Sequence, residues 1–396
     1  MTSATASQDL AASTTPAPGA PALRVLHVGK FYPPAPGGME RVVQLLCEGE
    51  RRVVDSRALA AHTGWRTVRE EWRGVPVTRL GSLATIGSVA FCPTLPLQMA
   101  SAERDLTVIH EPNPAALVAD WLSRQDGPLV VWFHSEVLRP QWKYRMLYRP
   151  FLRRVLARAS RIVVSSPRLA ERATELGDFQ AKCTVIPFGI EPGHLALTPV
   201  LADRAHAIRR RLPGPIVLFV GRLVAYKGID VLLTAMQRVA ATAVIIGEGP
   251  ERPKLEALAS RLGITGKVRF AGHLTDAEVL AHMHACEVFC LPSVTRAETF
   301  GMVQLEAMAC SRPVVSTDLP TGVPWVNQHE RTGLVVPPSD AAALAEALAR
   351  LTSDAALRDR LGQGGMARVA AEFTVSRMIA RTTSLYGEIL RDARAA

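Results

Sequence analysis

Short apolar runs alternate with longer amphipathic stretches along most of the chain. In the first half the runs occupy residues 22–28, 56–61, 75–80, 106–110, 129–133, 161–166 and 182–186. In the second half they occupy residues 215–220, 243–246, 268–271, 288–291, 313–316 and 334–336. Runs of this kind, separated by helical patterns, predict buried parallel strands that are connected by helices. The pattern therefore predicts two doubly wound α/β domains.

The segments between and around the apolar runs set the predicted domain boundaries. Residues 1–22, which are rich in Ala, Ser, Thr and Pro, are predicted to form a disordered tail without the basic start of a signal peptide. Rossmann-like domains are predicted over residues 23–190 and 214–375, with a polar interdomain linker over residues 191–213. A last helix is predicted over residues 376–396.

The composition indicates the cellular compartment of the protein and the class of its binding partners. The chain of 396 residues is long enough for two domains, and no apolar stretch approaches the roughly 20 residues of a membrane span. The 6 cysteines are scattered without zinc-site spacing, which favours reduced thiols in a cytoplasmic protein. The net charge of +10 predicts an anionic partner, which is a nucleotide, a phospholipid surface or a nucleic acid.

The strongest charge bias falls in residues 139–161, called the basic segment below. Its basic residues have no acid between them, and apolar residues recur at helical spacing beside them. One interpretation is a pair of core-facing helices with a solvated cationic side. The other is docking on an anionic membrane, which would place the protein peripherally at the inner face of the plasma membrane. No nucleic-acid partner is expected, because no recognisable nucleic-acid-binding module is found.

Two carboxylates, Glu298 and Glu306, lie eight residues apart around a predicted helix start. A helix rise of 1.5 Å per residue separates such a pair by roughly 10–12 Å. Two carboxylates that act on one glycosidic bond lie roughly 5–9.5 Å apart, so this pair suits the two ends of an extended ligand better. The free N–H groups near residues 300–302 can hold an anion or a polar ligand. The alternative is two solvated carboxylates on an exposed helix.

Further candidate residues lie in loops that follow predicted strands. Gly37 and Gly38 open a helix, where backbone N–H groups can approach a phosphate. Arg222 and Lys227 share one glycine-bounded loop without a nearby acid, and two such cations suit a diphosphate. His110 and His134 end two strands and are predicted to face a crevice.

The ordered set of these motifs resembles the GT-B glycosyltransferases, specifically the retaining glycosyltransferase family 4, also called glycosyl transferases group 1. The resemblance covers roughly residues 24–375. The residues that carry it are Gly37-Gly38, Phe133-His134-Ser135, Val185-Ile186-Pro187-Phe188-Gly189-Ile190, Val220-Gly221-Arg222-Leu223, Lys227-Gly228, Ile246-Gly247-Glu248-Gly249-Pro250, Phe270-Ala271-Gly272-His273-Leu274, Leu291-Pro292-Ser293, the stretch from Glu298 to Glu306, and Thr332-Gly333-Leu334.

The resemblance implies two Rossmann-like domains that face a deep cleft, with the last helix crossing back to the first domain. It implies that Arg222 and Lys227 bind the donor diphosphate near Gly38, that Glu298 binds the sugar hydroxyls and that Glu306 binds the ribose. His134 would stabilise the developing oxocarbenium ion. The remaining implied donor contacts are Gly37, Gly221, His273, Leu274, Phe300, Gly301, Met302 and Val303.

The resemblance also implies a reaction. It implies retaining, metal-independent transfer without a cofactor, and the sequence contains no Asp-x-Asp pair. Residues 134–139 and 316–327 are most similar to bacterial surface-polysaccharide mannosyl- and rhamnosyltransferases. GDP-mannose or GDP-rhamnose is therefore the favoured donor and a lipid-linked or polysaccharide glycan the favoured acceptor, while UDP- and ADP-sugars stay open. The alternatives are another GT-B reaction, such as nucleotide-sugar epimerisation, and a non-catalytic protein that binds polyanions or membranes.

Overall fold

The structure is a computed structural model that describes residues 23–35, 37–86, 89–123, 126–137, 142 and 144–395. The predicted tail lies outside the described residues, as do Arg139 and Lys143 of the basic segment. The chain forms two compact units. The first comprises Met1–Phe188 and Val375–Ala396, and the second comprises Gly189–Thr374.

The first unit is built on an eight-stranded sheet. Its strands are β1 (Arg24–Val28), β2 (Asp55–Ala61), β3 (Val68–Trp72), β4 (Val75–Leu80), β7 (Leu106–Glu111), β8 (Leu129–Phe133), β9 (Arg161–Val164) and β10 (Cys183–Val185). A separate hairpin consists of β5 (Ala84–Ile86) and β6 (Val89–Phe91). The sheet order is β10-β9-β8-β7-β1-β2-β4-β3, and only the edge strand β3 is antiparallel to its neighbour. The seven parallel strands match the predicted apolar runs.

Helices cover both faces of this sheet. Leu59 packs in one apolar cluster, whereas its neighbours Ala58 and Ala60 pack in another, as alternation along a strand requires. Among the described residues the α-helices include Gly38–Glu50, Leu95–Ser101, Pro114–Ser123, Arg149–Arg158, Pro167–Arg172 and Val375–Ala395, with a π-helical turn at Tyr144–Tyr148 and a 3₁₀ segment at Thr174–Lys182.

The last helix, Val375–Ala395, packs on the first unit. It runs against the helix Gly38–Glu50, where a Cβ on Gly49 would come 2.6 Å from Cγ1 of Ile379. A glycine at position 49 therefore lets the two helices approach closely.

The second unit contains a six-stranded parallel sheet. Its strands are β11 (Ile216–Val220), β12 (Thr242–Ile246), β13 (Val268–Gly272), β14 (Val288–Leu291), β15 (Val314–Thr317) and β16 (Gly333–Val336). The order is β13-β12-β11-β14-β15-β16, so the direction of winding reverses between β11 and β14. Every predicted strand of this half is confirmed. The order is that of a Rossmann fold.

The helices of the second unit surround a core that includes Phe219, Leu233 and Leu348. The α-helices are Pro199–Arg211, Ile229–Met236, Arg252–Arg261, Asp276–Ala285, Met302–Ala309, Val323–Val326, Ala341–Ser353 and Ala355–Glu372, with 3₁₀ turns at Pro192–Leu195, Ala225–Lys227 and Thr265–Lys267.

The structure corrects the predicted linker over residues 191–213. This segment folds with the second unit, and most of it is the helix Pro199–Arg211. Thr198 caps the helix by accepting a hydrogen bond from the Leu201 N–H, and Ala205 is buried. Arg209 donates to the carbonyl oxygen of Ala285. The segment looked like a linker because its packing face is small and its other side chains are polar.

Candidate functional site

The loops that follow β11 and β14 meet at the carboxyl edge of the second sheet. Ligands of open α/β sheets bind at this edge, at the point where the strand order reverses. The Val294 N–H of the β14 loop donates to the carbonyl oxygen of Tyr226 in the β11 loop, at 2.8 Å. The structure therefore joins the two loops that contain the predicted residues Arg222, Lys227 and Glu298.

An ion pair lies at the centre of this edge. Lys227 Nζ is 2.5 Å from Glu298 Oε2, and the two side chains are only 12% and 10% exposed. Ser293 Oγ donates to the same carboxylate oxygen at 2.9 Å. The sequence predicted no acid near Lys227, and this was wrong. The fold brings Glu298 into contact with it from 71 residues away in sequence. Within the described residues, Oε1 of Glu298 has no hydrogen-bond partner.

The two cations of this site differ in whether an acid pairs with them. Burial alone would lower the pKa of Lys227, but the charge of Glu298, with the nearby Tyr226 and the hydrogen bond to Glu298, raises that pKa overall. Lys227 is therefore a cation at neutral pH. Arg222 is exposed, and no described residue forms an ion pair with it. The loop thus offers one cation that is fixed by an acid and one that is available to a ligand.

Two glycines hold the loops of this edge close together. Gly228 has φ +67°, and a Cβ at this position would overlap the carbonyl oxygen of Pro292 in the β14 loop. A Cβ on Gly247, directly after β12, would overlap the carbonyl oxygen of Gly221. Side chains at either position would push the strand-end loops apart.

The helix that follows Glu298 begins later than the sequence suggested. It spans Met302–Ala309, and Gly301 with φ +72° precedes it without a side-chain cap. Glu298 therefore lies in the loop before the helix, and Glu306 lies half-buried within it. The uncapped N-terminus leaves the backbone N–H groups of Met302 and Val303 available for a ligand.

The other predicted donor residues of the second unit follow its strands on the same edge. Phe300 is buried, with its ring 6.4 Å from that of Trp325 and 6.0 Å from that of Phe373, so its side chain anchors the loop. His273 is exposed and Leu274 is half-buried, directly after β13.

In the first unit, Gly37 precedes the helix Gly38–Glu50 as predicted. A Cβ on Gly38 would meet nothing within 4 Å, whereas one on Gly37 would overlap the carboxylate of Glu40. Burial raises the pKa of Glu40, and the opposing effects of its own backbone N–H and of Lys30 are smaller. The helix start thus has an acidic neighbour, Glu40, that was not predicted from the sequence.

His134 follows β8 and is 6% exposed. Its ring stacks on Phe188, with 5.3 Å between ring centroids. Burial lowers the pKa of His134 to about 3, so the imidazole is neutral at physiological pH. His110 was predicted to face a crevice, which was wrong. It is completely buried, and its Nδ1 is 3.0 Å from Nε2 of His134.

Glu111, the last residue of β7, was not among the site residues predicted from the sequence. Tyr148 donates a hydrogen bond of 2.5 Å and the Asn113 N–H one of 3.0 Å to its Oε2, while Oε1 is buried and has no partner among the described residues. Burial raises the pKa of Glu111 to about 7, and the two hydrogen bonds and the charge of Lys30 oppose that rise. The signal for it was its position directly after His110 at a strand end.

The raised pKa of Glu111 predicts a pH dependence of folding. The unfolded carboxyl titrates near 4.5 and the folded one near 7, so the folded state binds the extra proton between these values. The free energy of unfolding is therefore expected to fall by about 3 kcal/mol as the pH rises through this window. Urea unfolding of wild type and Glu111→Gln at several pH values measures the difference. A wild-type profile parallel to that of Glu111→Gln would contradict it.

Among the described residues, no group of three or more His, Cys, Asp and Glu side chains is arranged to hold a metal ion. None of the helices in the described ranges combines the length and the apolar character needed to cross a bilayer.

Comparisons with known proteins agree on one family. The profile of "Glycosyl transferases group 1" matches residues 205–368, and that of "Glycosyl transferase 4-like domain" matches residues 37–189. The chain is 31% identical to O-antigen chain mannosyltransferase C of Escherichia coli, over 93% of this chain and 99% of the relative. It is also 31% identical to D-rhamnosyltransferase WbpZ of Pseudomonas aeruginosa, over 89% of this chain and 92% of the relative.

Solved structures confirm the predicted GT-B fold. Sucrose-phosphate synthase from Thermosynechococcus elongatus superposes with a TM-score of 0.78 at 24% identity, over 93% of this chain and 100% of the other. HepE of Anabaena in complex with UDP-glucose superposes with a TM-score of 0.72 at 21% identity, over 92% and 99% of the two chains.

Proposed function

The chain belongs to the glycosyl transferases group 1 family, and on that premise we propose that it transfers mannose or rhamnose from a GDP-sugar to a lipid-linked or polysaccharide acceptor. The product would be part of a bacterial surface glycan. The full-length similarity to a mannosyltransferase and a rhamnosyltransferase supports the sugar. A relative named as a GDP-mannose-dependent mannosyltransferase, 29% identical over 88% of this chain, supports the nucleotide.

The observation that carries the proposal is the Lys227–Glu298 pair beside the exposed Arg222. Arg222 and Lys227 bind the diphosphate and stabilise the charge that develops on it as it leaves. Oε1 of Glu298 accepts hydrogen bonds from the donor sugar. The role that a divalent cation has in other transferases thus falls to two cationic side chains, Lys227, which Glu298 holds, and the exposed Arg222.

Other residues of this edge complete the donor site. The N–H groups of Met302 and Val303, at the start of their helix, bind sugar or phosphate oxygens, and Gly301 permits the turn that exposes them. Glu306 binds the ribose. His273 and Leu274 contact the base, and Gly221 leaves room for the diphosphate.

The first unit supplies His134 and the glycines at positions 37 and 38. His134 is a neutral imidazole, which stabilises positive charge on the sugar ring. The N–H groups after Gly37 bind the diphosphate, and Gly38 has open space where a side chain would stand.

The reaction retains the configuration of the donor sugar. The bond between the anomeric carbon and the diphosphate oxygen breaks, and the bond to the acceptor oxygen forms on the same face. The acceptor hydroxyl proton goes to the departing diphosphate. No covalent bond to the enzyme forms.

A thermal-shift screen with GDP, UDP, ADP and their mannose, rhamnose and glucose conjugates tests the donor. A ligand that binds only the folded state raises the melting temperature, and GDP and its sugars are expected to give the largest rise. A larger rise with UDP or ADP would overturn the GDP assignment.

Product analysis tests the reaction class. The best donor is incubated alone and with an undecaprenyl-diphosphate-linked glycan, and the proposal expects sugar transfer only with the acceptor. Conversion of the sugar without an acceptor would indicate an epimerase instead. Absence of nucleotide binding together with salt-sensitive polyanion binding would indicate a non-catalytic protein.

Residues 142–158 support a second part of the proposal, which is docking on anionic lipid at the cytoplasmic face of the plasma membrane. Trp142, Met146 and Leu147 are 63%, 72% and 67% exposed, which is unusual for side chains of this size. Arg145 and Arg154 are exposed beside them. Acids from elsewhere in the fold pair with other members of the basic segment, namely Arg153 with Asp178, Arg158 with Asp120 and Arg161 with Asp392.

Replacing both Arg145 and Arg154 with Gln is expected to weaken binding to phosphatidylglycerol vesicles about 30-fold, since each basic residue near the surface contributes about 1 kcal/mol. Flotation with phosphatidylglycerol and with phosphatidylcholine vesicles measures the effect. Arg210→Gln with Arg211→Gln, on an exposed helix of the second unit, is the matched control. Equal binding of both double variants would contradict lipid docking.

A further inference from the structure

Five polar side chains form one hydrogen-bonded row through the interior of the first unit. Tyr386 donates to Glu50 Oε1 at 3.3 Å, and Glu50 Oε2 is 2.9 Å from His27 Nε2. Nδ1 of His27 is 3.0 Å from Nε2 of His110, and Nδ1 of His110 is 3.0 Å from Nε2 of His134. The row thus connects the last helix to a residue of the proposed site.

The fold places the three histidines side by side. His27 lies on β1, His110 on the neighbouring β7, and His134 directly after the next strand, β8. Consecutive rings stack with centroids 5.3 and 5.2 Å apart. His27 and His110 point to the sheet face opposite to Leu26 and Ile109, as alternation along a strand requires.

The row is almost completely shielded from water. Tyr386, Glu50, His27 and His110 are 0% exposed. Burying such groups is costly unless each is hydrogen-bonded, and here each contact in the row satisfies one partner on either side. Apolar side chains would fill the same space at a lower free-energy cost of burial. The presence of polar groups here therefore favours a role of the row in function.

Glu50 sets the direction of every hydrogen bond in the row. Burial, and then the charge of Glu50, raises the pKa of Tyr386 well above its ordinary value, so the hydroxyl donates to the carboxylate. The other carboxylate oxygen accepts from Nε2–H of His27, and in an imidazole that carries its one proton on Nε2 the Nδ1 atom is an acceptor.

The same logic passes along the next two rings. With Nδ1 of His27 as an acceptor, the 3.0 Å contacts require that Nε2–H of His110 donates to His27 and that Nδ1 of His110 accepts from Nε2–H of His134. Burial, reinforced by His134 and His27, lowers the pKa of His110 well below its ordinary value, which keeps this ring neutral. His134 therefore holds its proton on Nε2, and its Nδ1 has no partner among the described residues.

We propose that Glu50, His27 and His110 are positioning residues that hold His134 with its proton on Nε2 and its Nδ1 lone pair available to the donor sugar. The inference rests on the proposed function, which places His134 beside that sugar. A bare nitrogen stabilises positive charge that develops on the ring, whereas an N–H at the same place opposes it. The buried charge of Glu50 polarises the row in the favourable direction.

The tautomer of His134 is measured directly by NMR of protein labelled with ¹⁵N-histidine, because protonated and bare ring nitrogens have different chemical shifts. Comparison with the spectrum of His134→Asn assigns the signal. Wild type is expected to show a protonated Nε2 and a bare Nδ1. A proton on Nδ1 of the wild-type residue would overturn the inference, and this measurement does not require any variant of the row to fold.

Kinetics test the contribution of the buried charge. Glu50→Gln keeps an oxygen that accepts from His27 but removes the charge, and kcat is expected to fall about 10- to 100-fold, as when an outer partner of a functional histidine is lost. The donor KM is expected to stay within about twofold, because no residue of the row from Tyr386 to His110 touches the donor. His110→Phe interrupts the row and is expected to change the His134 tautomer as well.

Asp120→Asn is the matched control, since Asp120 is another buried acid of the first unit and pairs with Arg158 away from the row. Equal kcat for Glu50→Gln and Asp120→Asn would overturn the inference. A wild-type enzyme that transfers no sugar would overturn the proposed function and the catalytic part of the inference, while the NMR result would still decide the positioning part.

Discussion

Lys227→Met is expected to reduce kcat/KM for hexosyl transfer about 10²- to 10³-fold, the loss caused by removing one charge-stabilising donor from an active site. Glu298→Gln is expected to cause a comparable loss, because an amide cannot hold both Lys227 and the sugar hydroxyls as a carboxylate does. Release of GDP from GDP-mannose in the presence of acceptor measures both rates.

The double variant of Lys227→Met and Glu298→Gln is the sharper test of this role. Its activity is expected to stay as low as that of the worse single variant, because the double variant restores no group that binds the donor. Activity near the wild-type level in the double variant would mean that the pair serves folding alone.

The stability of these three variants is expected to follow a different order from their activity. Removing one partner of a buried ion pair leaves an uncompensated charge, and each single substitution is expected to destabilise the second unit by about 3 kcal/mol. The double variant, which leaves no unpaired charge, is expected to lie within about 1 kcal/mol of wild type. Hydrogen exchange of peptides from Gly189–Thr374 measures the stability of this unit.

Additive destabilisation in the double variant would contradict the strong coupling that the 2.5 Å contact implies. Stability that recovers while activity does not would separate the donor-binding role of the pair from its structural role.

The fold was accessible from the sequence because buried parallel strands are continuous apolar runs. The elements that were not predicted lack such apolar runs. Strand β3 reads Val-Arg-Glu-Glu-Trp and is largely exposed, so it forms through its pairing with β4 at the sheet edge and not through burial. The helix Pro199–Arg211 was missed for a related reason, since Ala205 is its only buried residue.

The site residues at the carboxyl edge of the second sheet could be located from the sequence, but their contacts with one another could not. Arg222, Lys227 and Glu298 follow apolar strands in loops that contain glycine or proline, which is a local signal. The ion pair between two of them depends on the adjacency of β11 and β14, which the chain order does not reveal.

The row of histidines could not be predicted from the sequence for the same reason. His27 and His110 occur inside apolar strands, and Glu50 ends an ordinary amphipathic helix. Nothing local distinguishes them from isolated polar residues. Only the order β1-β7-β8 places the three rings in contact.

The central claim is that the loop after β11 binds the diphosphate of the donor, and Arg222→Gln tests it most directly. Arg222 is exposed and forms no ion pair with a described residue, so its replacement is expected to leave the melting temperature unchanged. Calorimetric titration with GDP and with UDP is expected to show a Kd about 10- to 100-fold weaker than in wild type, the loss of one charge-assisted contact. An unchanged Kd for the nucleotide that wild type binds, or no binding of either nucleotide to wild type, would contradict the claim.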